Sequence, residues 1–174
     1  IRASLTRLKR TKQLAEHDNR ADKLIATGTI PMMLYGASAL GIPAGQLLPL
    51  RSATARATAD GSMSACSTTT IHLTISSYQD VHYRDRRQLV QDWYSVWKHD
   101  RHPEQKLRRV WGVTYREAIA EYNKDNRSCS RWNGVVGIIG VTINSLIDIG
   151  WRPIRPDHWE SEEGHQWGLR KNKY

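Results

Sequence analysis

The sequence predicts a mainly α fold, a bundle of about five to six helices followed by a short C-terminal β-hairpin, and three observations predict it. Apolar residues recur three and four apart in several separate stretches, the spacing of a helix face. Gly and Pro fall between those stretches, where helices stop and restart. Near the C-terminus two tryptophans flank a Glu-Glu-Gly turn, the composition of a hairpin.

In the first stretch Ile1, Leu5, Leu8 and Ala15 share one helical face while Leu14, Ala21, Leu24 and Ile25 point to another, with His17-Asp18-Asn19 between them. Two short helices or one bent helix satisfy that pattern. Gly28 predicts a helix stop, and Thr29 a cap for a new helix carrying Pro31 in its first turn, where a missing N–H costs nothing. This helix is expected to run through Met32-Met33-Leu34-Tyr35. Gly36, Gly41, Pro43 and Gly45 then punctuate the chain. Residues 46–59 return to helical composition with Leu47, Leu50, Thr54 and Ala57 on one face, and Asp60-Gly61 ends them. Residues 62–77, rich in Ser and Thr, read as a loop in which the alternation over 69–74 suits a short strand.

From Arg84 onward Leu89, Val90, Trp93 and Trp97 recur at helical spacing. Pro103 opens a further helix that aligns Leu107, Trp111, Thr114, Tyr115, Ala118 and Tyr122, and the two are expected to form a helical hairpin. The stripe Trp93, Trp97, Trp111 and Tyr115 reads as core in preference to a base-stacking surface, because aromatic side chains carry so much buried area. Residues 123–133 form a polar, basic connection. In residues 135–149 the β-branched side chains favour a strand, while the length and the Gly150 stop favour a buried helix, which is the expectation adopted. That run has 15 residues, includes Asn144 and Asp148, and falls short of the roughly 20 needed to span a bilayer, so no transmembrane segment is expected. Trp151-Arg152-Pro153 should break regular structure before the hairpin of Trp159 and Trp167. The organisation expected is a basic, helical region over 1–77 and a second region over 78–174, or one continuous domain.

Lys and Arg number 26 against 17 Asp and Glu, a net charge of +9 spread along the whole chain. Such a balance favours a polyanionic partner, nucleic acid ahead of an anionic membrane surface or an acidic protein. The densest positive patch is Arg2, Arg7, Lys9, Arg10, Lys12, Arg20 and Lys23. A charge run of this kind is more often a solvated face, yet most of these residues lack an acidic partner four positions away, which argues for binding. Cys66 and Cys129 stand alone, fitting a reducing compartment with two buried or idle thiols, or a single disulfide. The first residues lack the apolar core of a signal peptide.

No constellation for catalysis is found, so the chain is not expected to be an enzyme by itself. Glu117 and Glu121 lie one helical turn apart without further acidic partners. His99 and His102 have metal-ligand spacing, but Pro103 follows them and no complementary pair exists. The segment from His158 to His165 gathers two imidazoles and three carboxylates, a composition that a polar hairpin tip also requires. The Gly36, Gly41, Gly45 spacing fits no nucleotide fingerprint, and neither cofactor nor metal is expected.

Ile30-Pro31-Met32-Met33-Leu34-Tyr35-Gly36-Ala37 resembles the apolar-Leu-Tyr-Gly signature that opens the thumb of non-LTR, LINE-type reverse transcriptases. Upstream, residues 7–23 resemble the basic helix leading out of the palm. Downstream, Gln46-Leu47-Leu48-Pro49-Leu50-Arg51 with Thr54-Ala55-Arg56-Ala57 resembles the thumb helix, followed by the family's small-residue loop at 62–70. A narrower resemblance, over 134–169, is to retroelement-derived reading frames common in dinoflagellate genomes: an apolar helix, the Ile149-Gly150-Trp151 stop, and the Trp159, Gly164, Trp167 hairpin. Together these stretches cover about two thirds of the chain. The family often has an acidic residue and then Trp soon after Tyr-Gly, where this chain has Ser38-Ala39-Leu40.

The resemblance implies a thumb and connection region without the catalytic palm. The paired aspartates that bind polymerisation metals are absent. Such a segment would grip the backbone of primer and template, RNA or an RNA/DNA hybrid, with Arg7, Lys9, Arg10, Lys12, Arg51 and Arg56 as phosphate contacts. A nuclear location follows from the resemblance. The alternative is a structural subunit recruited into a large organellar ribonucleoprotein or membrane complex, its Trp and basic residues set against RNA or neighbouring protein subunits. A metal-dependent nuclease built around His158 and His165 is the third and weakest reading.

Overall fold

The computed structural model describes residues 2–58, 66–99, 103–124 and 132–169. They are mainly helical, as expected from the sequence, and end in a small antiparallel sheet. In chain order the elements are α1 (Arg2–Ala15), α2 (Asp22–Leu24), α3 (Ile30–Met33), α4 (Ala37–Leu40), α5 (Ala44–Thr58), α6 (Ser67–Thr74), α7 (Val81–Lys98), α8 (Glu104–Lys124), α9 (Gly137–Asp148), β1 (Arg152–Arg155), β2 (His158–Glu160) and β3 (Gln166–Gly168). The chain divides into two compact units: Ile1–Tyr35 with Ala44–Arg86, and Gly36–Pro43 with Arg87–Tyr174.

In the first unit the basic stretch forms two helices. The Asp18 carboxylate accepts the Arg20 backbone N–H at 2.8 Å and caps a 3₁₀ turn, Asn19–Ala21, after which α2 restarts the chain in a new direction. Leu8, Ala21 and Ile25 are buried, whereas Leu14 and Leu24 remain exposed. Gly28 does not stop the helix, contrary to the sequence expectation. Residues Ile25–Thr29 form a π turn that runs directly into α3, and Thr29 is buried with helical backbone angles and no side-chain cap bond.

Pro31 explains the widened turn. In it the Ile30 N–H donates to the Ile25 carbonyl, and the next donor in that register, the N–H of residue 31, does not exist. The Ala26 carbonyl is thereby left without a ladder partner, and the Arg84 guanidinium donates to it at 2.9 Å from α7, while also donating to Gln79 Oε1 at 2.7 Å. An arginine 58 positions away supplies the donor the proline lacks.

α5 follows the predicted face, burying Leu47, Leu50, Thr54 and Ala57. The Ser and Thr stretch departs from its prediction: over 69–74 the chain is helix α6, neither loop nor strand. One apolar residue, Ile71, is fully buried and anchors it beside α5. The hydroxyl of Thr74 donates back to the Thr70 carbonyl at 2.8 Å, so side chains that usually compete with a helix here close onto it. The expected stop at Asp60-Gly61 lies outside the described residues.

In the second unit α7 and α8 meet through their tryptophans, as the hairpin reading expected. The rings of Trp93 and Trp111 lie 4.7 Å apart, and Trp93, Trp97 and Trp111 are fully buried with Leu107, Ile143, Leu146 and Trp159. Two of the indole N–H groups find partners in and beside the sheet: Trp93 Nε1 donates to the Pro156 carbonyl of the β1-β2 turn at 2.7 Å and Trp111 Nε1 to the Pro153 carbonyl of β1 at 2.8 Å. The aromatic stripe is therefore core. The apolar run is helix α9, with residues 140–146 all buried, and Gly150 ends it at φ 79°.

Arg152-Pro153 does not break regular structure as predicted but lies in β1. Pro153 is tolerated because β1 is an edge strand in the order β1-β2-β3, where a missing N–H costs no ladder bond. The expected hairpin is β2 with β3, pairing Trp159 with Trp167 around Gly164 at φ 84°. Arg108 clamps Asp157 through two hydrogen bonds of 3.0 and 2.8 Å and lies over the Trp97 ring, which ties α8 to the β1-β2 turn. No helix among the described residues is long and apolar enough to cross a membrane.

Candidate nucleic-acid interface

α1 and α5 together carry Arg2, Arg7, Lys9, Arg10, Lys12, Arg51 and Arg56, and neither helix contains a carboxylate. The two helices lie side by side in the first unit. Close approach is possible because the residues that α5 buries include the small side chains of Thr54, Ala55 and Ala57, and α1 buries Ser4 and Thr11. The Thr11 and Thr54 hydroxyls are absorbed within their own helices, donating to the Arg7 and Leu50 carbonyls at 3.0 and 2.9 Å. These bonds leave no polar group to solvate between the helices from either residue.

Helical spacing distributes the cations unequally around α1. Lys9 and Lys12 fall on the same face as Leu5 and Leu8, and Arg56 sits one turn beyond Ala53 on α5. These residues, with Ala57, line a cleft of about 390 Å³ whose floor is Leu5, Leu8, Ala53 and Ala57 and whose cations are Lys9, Lys12 and Arg56. All three cations are exposed, and none makes an ion pair among the described residues. Of the six predicted phosphate contacts, the structure thus brings three into one place.

The other three stand apart. Arg7 is exposed on a different face of α1, its guanidinium reaching over Gly28 of the π turn. Arg10 is exposed on the outer side of α1 and lines no part of the cleft. Arg51 is held by Asp80: Nε and Nη2 donate to Oδ1 at 3.1 and 2.9 Å, with the arginine side chain 20 % exposed and the aspartate 1 %. The same Oδ1 accepts the His82 N–H at 2.8 Å at the start of α7. Arg51 therefore ties α5 to the cap of α7, and its charge is already neutralised in place. Leu5, Leu8, Ala53 and Ala57 are the lining residues that sequence reasoning left out of the site. Their signal was present in the shared helical face of Leu5, Leu8, Lys9 and Lys12, but it needs α5 alongside to become a cleft.

The remaining chemical candidates do not assemble. No group of three His, Cys, Asp or Glu side chains among the described residues is placed to hold a metal ion. His165 lies 3.3 Å from Glu163 at the tip of the hairpin, both highly exposed. Glu121 pairs with Lys124 at 2.7 Å as an exposed helix-surface pair, and His102 lies outside the described residues. Cys66, expected to be buried or idle, is an exposed free thiol at the start of α6, held below its usual pKa by the backbone N–H of Thr69 together with the Thr69 hydroxyl and the Thr68 N–H. Cys129 lies outside the described residues.

No family model, no curated protein and no solved structure matches the chain.

Proposed function

We propose that this chain is a non-catalytic nucleic-acid-binding segment that grips the phosphate backbone of RNA or an RNA/DNA hybrid through the α1–α5 cleft, in the manner its sequence resemblance to a retroelement reverse transcriptase thumb implies. The observation that carries the reading is the concentration of unpaired cations: Lys9, Lys12 and Arg56 converge on one cleft between two helices that hold no carboxylate. Lysine and arginine side chains placed without counter-charges attract phosphate by Coulomb forces and by release of condensed counterions, which is largely independent of sequence. Arg7 and Arg10 extend the positive field of α1. Arg51 takes no part, because Asp80 already occupies its guanidinium.

The test is fluorescence anisotropy of the whole chain with labelled RNA, DNA and hybrid oligonucleotides over a salt series. Three phosphate contacts predict a slope of log affinity against log salt steeper than about −2, and each of Lys9→Ala, Lys12→Ala and Arg56→Ala lowers it by roughly 0.7 to 0.9. Arg51→Ala leaves the slope unchanged. Binding that is absent at low salt, or indifferent to the three cleft substitutions, overturns the reading. It then leaves the structural-subunit alternative, in which the basic surface meets a larger assembly.

A further inference from the structure

We infer that the α1–α5 cleft holds a single unpaired nucleotide, so that this site selects single-stranded nucleic acid over duplex; the inference rests on the proposed phosphate-gripping role and specifies its ligand. A surface that only neutralises phosphates needs cations and polar groups, with no apolar floor beneath them. Here the cations border a concavity with an aliphatic floor, Leu5, Leu8, Ala53 and Ala57. The floor offers hydrocarbon where a phosphate needs polar groups, so the phosphate belongs at the ammonium and guanidinium rim and an apolar, flat group belongs below it. A nucleotide has this division: an anionic phosphate joined through a sugar to a base with an apolar face.

Size limits the occupant to one. About 390 Å³ lies near the lower end of the roughly 300–1,000 Å³ of pockets that enclose a compact organic molecule. It suits one nucleoside, whereas a base pair, with two bases and two backbones, does not enter. A base still paired in a duplex presents only its edge in a groove, so its face is available to Leu5 and Ala53 only when it is unstacked. The floor contains no aromatic ring and no polar side chain, so base contact is by dispersion and burial alone. Any of the bases is accepted, and the contribution is smaller than that of an aromatic stacking platform.

Comparing an oligonucleotide with an abasic strand of equal length isolates the base, because both carry the same phosphates. Anisotropy of the whole chain with a labelled oligo-uridine, the matching abasic strand and an RNA/DNA hybrid is measured at one low salt concentration. The measurement is repeated on Ala53→Leu, which fills the floor without changing charge, and on Leu5→Asn, which makes it polar; a thermal melt confirms that each variant is folded. The expected result is binding of the abasic strand about tenfold weaker than oligo-uridine in the natural chain, binding of the hybrid, whose bases stay paired, also weaker than oligo-uridine, and loss of the oligo-uridine preference over the abasic strand in both variants. Equal binding of oligo-uridine and the abasic strand by the natural chain overturns the inference yet leaves phosphate gripping standing if the cleft cations still set the salt slope. A difference that survives in folded Ala53→Leu and Leu5→Asn overturns the inference too, since the base is then held elsewhere. No binding of any strand overturns both.

Discussion

Replacing Arg84 with Met and Pro31 with Ala, singly and together, tests the account of the π turn. Arg84 donates to the Ala26 carbonyl at 2.9 Å and to Gln79 at 2.7 Å, both in part-buried surroundings. Each charged hydrogen bond is worth about 1.5 kcal/mol at the lower end of the usual range, so Arg84→Met should cost about 2–3 kcal/mol. Pro31→Ala restores a backbone N–H but gives up the proline's restriction of the unfolded chain, worth about 0.4–1 kcal/mol, and should be close to neutral. In the Pro31→Ala background the Ala26 carbonyl regains a ladder donor, and Arg84→Met should then cost about 1–1.5 kcal/mol less. All seven tryptophans lie in the second unit, so none of them reports on the π turn locally. Urea unfolding followed by far-UV circular dichroism, with amide exchange at residues 25–33, reads the first unit directly. Strict additivity of the two substitutions refutes the claim that Arg84 substitutes for the missing donor.

Three further outcomes follow from named residues. Burial pushes the Asp85 carboxyl up to about 6, with the Arg86 charge pulling the other way. Its folded pKa lies above the unfolded value, so the folded state binds the proton more tightly; stability should fall as pH rises from about 4 to about 6 and stay lower above, by about 3 kcal/mol, and Asp85→Asn should remove that dependence in urea titrations at both pH values. Gly41 adopts φ 71°, and a Cβ there would lie 2.1 Å from the Trp132 ring, so Gly41→Ala should lower stability by about 2–4 kcal/mol, read by tryptophan fluorescence; a neutral result contradicts the placement of Trp132. Trp111→Phe removes the donor to the Pro153 carbonyl and part of the ring that meets Trp93, and should cost about 2–3 kcal/mol in the same assay.

The long faces were legible in the sequence because many residues vote for each: Leu47, Leu50, Thr54 and Ala57 on α5, and Trp93, Trp97 and Trp111 across α7 and α8. The misses share a different cause. Gly28 looks like a helix stop until Arg84 reaches the Ala26 carbonyl from 58 residues away, and Arg51 looks like a free cation until Asp80 arrives from 29 away. α6 is held by one apolar contact, Ile71, too little to outweigh a Ser and Thr composition in any local window. At the candidate site the cations of α1 were visible as a run, but the run alone does not separate Lys9 and Lys12 from Arg7 and Arg10. That separation needs the direction in which α1 faces α5, which is a tertiary fact. The sheet illustrates the opposite case: Trp159, Gly164 and Trp167 fix the β2–β3 turn locally, whereas β1 adds a third strand through pairing that Pro153 conceals.

Photo-crosslinking of a thiouridine-substituted RNA to the whole chain, with the attached peptides mapped by mass spectrometry, tests the central claim most directly. The account predicts crosslinks concentrated on residues 5–12 of α1 and 53–57 of α5, and their loss when Lys9, Lys12 and Arg56 are replaced together by Ala. Crosslinks confined to the second unit, or unchanged by that triple substitution, would contradict it.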